Sequence, residues 1–157
     1  MKFKRILGID PGNVQSAFVV FEDGKVLSKN ILPNEELIKL EFSDIDMVAI
    51  EMIASYGMSV GQSVFDTCLF VGRLYQRFLG LFKVKLVYRK DIKLHLCNTL
   101  RAKDSNIIAA ISNRYGGDIR TAKGNKAHPG PLYGIKEDEW SALALCIFCQ
   151  DEYENIK

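Results

Sequence analysis

The sequence predicts an α/β fold: one mixed five-stranded sheet with helices on both faces. Two observations carry that expectation. Strand-like runs at 3–9, 16–21 and 25–31 follow one another through short connections, which predicts an antiparallel meander. The pattern then changes to alternation, with strand-like runs at 47–51 and 83–88 separated by helical spacing and followed by three more helical stretches. The chain has 157 residues, 48% of them hydrophobic and 25% charged, and reads as one domain with room for a sizeable core.

Each element has a local reason. The run Phe3-Lys4-Arg5-Ile6-Leu7-Gly8-Ile9 is a buried strand pattern that delivers Asp10 at its end, where Pro11-Gly12 turns the chain. Asp23-Gly24 is a hairpin turn signal between the second and third strands. Pro33 or Asn34 then caps a short helix expected to run to about Phe42. The strand 47–51 ends on a second carboxylate, Glu51. In the long helix 61–79, Val64, Phe65, Cys68, Leu69, Gly72, Tyr75 and Leu79 fall at helical spacing, and Gly72 is expected to permit close packing. Helices are expected at 90–97 and 103–115, with Asp104 and Ser105 at the start of the second. Residues 116–134 contain Gly, Lys and Pro without periodicity and read as a mobile basic loop. The last helix, 136–152, is apolar on most faces and starts with Glu137-Asp138-Glu139, acids that suit a helix N-terminus.

Charge is unevenly spread. The net charge is only +2, yet residues 83–126 carry 11 Lys and Arg against 3 Asp and Glu. A basic stretch beside acidic segments suits a polyanionic partner. No apolar run has the length of a membrane span, and the start does not read as a secretory leader. The scattered Cys68, Cys97, Cys146 and Cys149 point to a reducing, intracellular (cytoplasmic) setting. Cys146 and Cys149 spell C-x-x-C inside an apolar helix and read as packing.

Asp10, Glu51 and Asp138 stand at two strand ends and a helix start, places that a parallel pairing of strands one and four would bring to one rim. Three adjacent carboxylates repel one another unless a cation neutralises them. Mg²⁺, with Mn²⁺ as substitute, prefers such oxygen donors, and two ions roughly 3.5–4 Å apart promote phosphodiester hydrolysis. The alternative at Asp10 is plain turn chemistry.

Gly8-Ile9-Asp10-Pro11-Gly12, Val48-Ala49-Ile50-Glu51 and Ala142-Leu143-Ala144 behind an acidic turn resemble the RuvC-type Holliday junction resolvases, above all their small phage-borne members. The resemblance spans nearly the whole chain and implies the ribonuclease H-like fold, whose element order matches the one read above. It also implies a Mg²⁺-dependent endodeoxyribonuclease with two ions per site, acting on branched DNA as a homodimer in recombination and repair. Asp10 and Glu51 match the first two metal ligands of the family, and Asp138 the ligand at the helix start. Where the family often has a further Asp, this chain has Ser141, so the fourth ligand is left among Ser141, Glu139 and Glu137. Lys93 and Lys103 lie in a stretch similar to the basic DNA-contacting segment of the family, without its usual glycines. Lys90, Arg101, Arg120, Lys123 and Lys126 extend the expected phosphate contacts. Ala54 stands where the family has a stacking aromatic, and Tyr56 is the nearest replacement. The long helix is the candidate dimer interface. A flap or branched-DNA nuclease of the same fold, a non-catalytic branched-DNA binder and an actin-like ATP-binding fragment are the competing readings.

Overall fold

The structure, a computed structural model, describes residues 4–155. Strands β1 (Arg5–Asp10), β2 (Gln15–Glu22) and β3 (Lys25–Pro33) form the meander. After the short α1 (Asn34–Leu37) come β4 (Met47–Met52), α2 (Gln62–Leu79) and β5 (Lys83–Tyr88). The chain closes with α3 (Arg89–Cys97), α4 (Asp104–Arg114), α5 (Ile119–Lys123) and α6 (Glu139–Glu154). The sheet order is β3-β2-β1-β4-β5, with the first three strands antiparallel and β1, β4 and β5 parallel. This is the mixed five-stranded sheet that the sequence predicts; Phe3, the expected first strand residue, lies outside the described residues.

Alternation along the strands builds two cores. Leu7, Ile9, Val48 and Ile50 face α2, where they meet Phe70, Val71, Leu74 and Phe78. Ile6, Met47 and Ala49 face α6 and its Ala142, Leu143, Cys146 and Cys149. Asp10 has the parity of Ile6, and Glu51 that of Met47 and Ala49, so both strand-end acids belong to the α6 face.

Gly8 brings α6 onto the sheet. A Cβ there would stand 2.3 Å from the carbonyl oxygen of Ala142 and 2.7 Å from Sγ of Cys146, so only glycine lets helix and strand approach this closely. Cys146 and Cys149 are both buried packing residues, as the sequence predicts, and burial pushes their thiols up. Trp140 through Cys149 are buried apart from Ser141, which explains why α6 is apolar nearly all round. Among the described residues no helix is both long and apolar enough to cross a membrane.

Three local expectations are corrected. The helix after β3 stops at Leu37: Lys39 and Leu40 make tighter turn hydrogen bonds to Glu36 and Leu37, and Phe42 instead packs its ring against Phe18 and Phe78. The stretch 116–134 is not without regular structure. It contains α5, capped by Asp118 Oδ1 accepting from Thr121 N at 2.7 Å, and is anchored by fully buried Ala122 and Leu132. On α2 the buried stripe is Thr67, Phe70, Val71, Leu74 and Phe78, whereas Phe65 (59% exposed) and Leu69 (70%) point outward with Leu79. Gly72 shares that outward side, and a Cβ added there would meet nothing within 4 Å, so it serves no close packing.

Candidate active site

Asp10 and Glu51 each follow the paired residues Ile9 and Ile50, so two parallel neighbours end in carboxylates at the same rim. The two carboxyls stand close enough for each to shift the titration of the other. Burial, then the charge and hydrogen bond of Glu51 and the charge of Asp138, push Asp10 up to about 9. Burial also raises Glu51, against the opposing charge of Arg89. Such a pair is held ready for a cation that can displace its proton.

The turn behind Asp10 is fixed by buried polar bonds. Gly12 N donates to Ser16 Oγ at 3.0 Å, Ser16 Oγ donates to Asn34 Oδ1 at 2.7 Å, and Asn34 Nδ2 donates to Gly12 O at 2.9 Å. A Cβ on Gly12 would come within 2.3 Å of Gln15 O, so the Pro-Gly turn is sterically closed as well. These contacts restrain the turn that follows Asp10.

The helix side is arranged differently. Asp138 is the N-cap residue of α6, and its charge is felt by both strand-end acids. One helical turn along, Ser141 Oγ accepts from Arg89 Nη1 at 3.2 Å. The same guanidinium lies 3.8 Å from Glu51 Oε1 and donates through Nη2 to Asp104 Oδ1. Burial works against the charge of Arg89, and Glu51, Asp104 and Asp10 outweigh it. A cleft of about 350 Å³ opens here, with Arg89, Asp104, Glu137, Asp138 and Ser141 among its lining residues.

One ligand expectation needs revision. Asp10, Glu51 and Asp138 act on one another electrostatically, with Asp138 exposed at the helix start and Arg89 beside Glu51; among the described residues no group of three His, Cys, Asp or Glu is arranged to hold a metal ion. Glu139, an expected alternative ligand, is 1% exposed and engaged elsewhere: its Oε1 accepts from Lys29 Nζ and from Lys136 N, both at 3.0 Å. That bond to the Lys136 amide secures the entry to α6. The donors at Asp10 and Glu51 are half-buried carboxylate oxygens, which suit a hard divalent ion. Ser141 itself is neutral and already accepts from Arg89.

Expected DNA-contacting residues divide into two sets. Lys90, Lys93, Arg101 and Lys103 lie along α3, the following turn and the start of α4, on the segment that leaves the rim at Arg89; all but half-buried Lys93 are exposed. Arg120 and Lys123 ride on α5, which packs against α4, and Lys126 follows in an exposed turn. Tyr56 is 62% exposed with φ +51°, at the tip of the loop after β4 beside Met58, which is 73% exposed. Arg89 is the site residue that sequence reasoning missed. Its signal was position: it follows β5 immediately, and Tyr88 pairs with Met52, the residue after Glu51.

No protein-family model matches the chain, and no curated protein is similar to it in sequence. Solved structures do match. RuvC of Thermus thermophilus superposes with a TM-score of 0.64 at 15% identity, over 97% of this chain and 96% of that one. The T. thermophilus RuvC in complex with a Holliday junction substrate superposes with a TM-score of 0.63 at 13% identity, over 95% of this chain and 96% of that one. The described residues therefore have a RuvC-like form of the ribonuclease H-like α/β fold.

Proposed function

We propose that this chain is a structure-specific DNA endonuclease that depends on a divalent metal and resolves Holliday junctions by phosphodiester hydrolysis. The observation that carries this reading is the half-buried Asp10–Glu51 pair at the ends of two parallel strands, on the α6 face of the sheet, in a RuvC fold. Asp10 and Glu51, with Asp138 at the helix start, would hold Mg²⁺ or Mn²⁺. When bound, such an ion polarises a phosphoryl oxygen and makes a water more acidic.

The chain's own residues do the rest. The Ser16–Asn34–Gly12 bonds keep Asp10 oriented. Lys90, Arg101 and Lys103 present exposed cations on the segment leading away from the rim and bind backbone phosphates without reading bases. Tyr56, held outward at the loop tip, offers a face on which an unpaired base stacks.

Resolving a junction takes two opposed cuts, which calls for two copies. The outward side of α2, with Phe65, Leu69 and Leu79 exposed, is the surface we assign to that contact. Sedimentation reads this assignment: the wild-type chain is expected as a dimer and Leu69→Glu as a folded monomer, while a wild-type monomer at micromolar concentration refutes it.

The decisive experiment for the function is cleavage in Mg²⁺ of matched four-way, three-way, flap and linear duplex substrates. Paired nicks in the four-way junction, with linear duplex left intact, are expected. Preference for a flap assigns a different branched-DNA nuclease. Tight junction binding without nicking in either Mg²⁺ or Mn²⁺ makes the protein a non-catalytic binder.

A further inference from the structure

The side chain that closes the carboxylate cluster on its helix side is a base. Arg89 is the first residue of α3 and is only 25% exposed. Its Nη1 lies 3.2 Å from Ser141 Oγ and 3.8 Å from Glu51 Oε1, while Nη2 donates to Asp104. One guanidinium thus spans from a strand-end acid to the position on α6 one turn beyond Asp138.

We propose that Arg89 takes the place of a second divalent ion, so that each protomer binds one Mg²⁺ and the guanidinium supplies the other positive charge to an incoming phosphate. The inference rests on the metal-nuclease reading and sharpens its stoichiometry.

Four features carry it. A second ion needs anionic oxygens on the helix side. Beyond Asp138, at the ligand position one turn along α6, that side offers Ser141, which is neutral and already accepts from Arg89, and the one further acid of the cleft lining is Glu137, which precedes the helix at φ +48°. Glu139 is buried against Lys29, and Asp104 is bonded to Arg89, so neither acid is free to complete a second site. A guanidinium does not lose its proton, so it repels a nearby divalent cation at any working pH, and only displacement would clear the space. Finally, the cleft of about 350 Å³ is lined by Arg89, Asp138 and Ser141, giving room for a phosphate to meet the planar fork, which binds two phosphate oxygens at once. Arg89 is in this account a phosphate-binding residue whose charge is fixed by the fold, where an exchangeable ion would depend on its concentration.

The test is a count of bound Mn²⁺ by electron paramagnetic resonance, on the full chain with and without saturating four-way junction. It needs no cleavage. The wild-type chain is expected to hold one Mn²⁺ per protomer in both states. The double variant Arg89→Ala with Ser141→Asp, checked for native circular dichroism, is expected to hold two when DNA is bound. Two ions on the wild-type chain overturn the inference and leave the nuclease reading standing. No ion at all overturns both. The wild-type count keeps the inference falsifiable even if the double variant does not fold, and a folded double variant that stays at one ion also refutes it.

Discussion

The two sides of the candidate site are built on opposite principles. On the strand side, Asp10 and Glu51 are held by sheet register and by a polar turn, and burial with their mutual charge disfavours ionising both. On the helix side, Asp138 and Ser141 are placed by the docking of α6, and Arg89 neutralises what stands nearby. The strand side stores the electrostatic need for a cation, and the helix side already satisfies part of it. One cluster thus holds an unmet charge at one end and a built-in counter-charge at the other.

The difference can be broken first through the docking. Gly8→Ala would drive a methyl into Ala142 O and Cys146 Sγ, backbone and buried sulfur that cannot swing aside. The expected cost is about 1–3 kcal/mol, read as a fall in melting temperature of roughly 2–4 °C per kcal/mol for a chain of this size. Junction cleavage should drop further than stability accounts for, because α6 carries Asp138. An unchanged melting temperature would show that the helix does not depend on this approach.

A pH-dependent effect, read one pH unit at a time, sharpens the strand side. Asp10 is raised from 3.8 to about 9, so from about pH 4 to 9 the folded state holds a proton that the unfolded state has released. Stability of the metal-free protein is therefore greatest below that window and falls as pH rises through it, with a slope of order 1 kcal/mol per pH unit. Melting in EDTA across this range measures the slope, and saturating Mg²⁺ at pH 8 is expected to recover the lost stability. A flat profile in EDTA would mean that the pair is not strained by charge.

Legibility from sequence followed the same division. The strand-end acids were readable because period-two apolar runs and the Pro-Gly turn mark strand ends, and parity places both acids on one face. The mixed sheet followed from the meander and the alternation after it. Arg89 was not readable as a site residue, since it sits among Lys85, Lys90 and Lys93 and differs from them only in where β5 lets go of the chain. Ser141 was readable as a departure, but not the bond that explains it. On α2, two apolar stripes coexist, and periodicity cannot say which one faces the sheet; Phe70, Leu74 and Phe78 won over Phe65 and Leu69. A five-residue helix such as α5 carries too little periodicity to be seen, although Ala122 and Leu132 anchor it.

The central claim, that Asp10 belongs to the reacting centre of a junction nuclease, is tested most directly by Asp10→Asn on a synthetic four-way junction in Mg²⁺. Cleavage is expected to fall by at least about 10²–10³-fold, the scale on which removing one well-placed electrostatic group acts. Junction binding is expected to persist, because the change removes a negative charge and no phosphate contact. Undiminished cleavage by the folded variant would contradict the assignment.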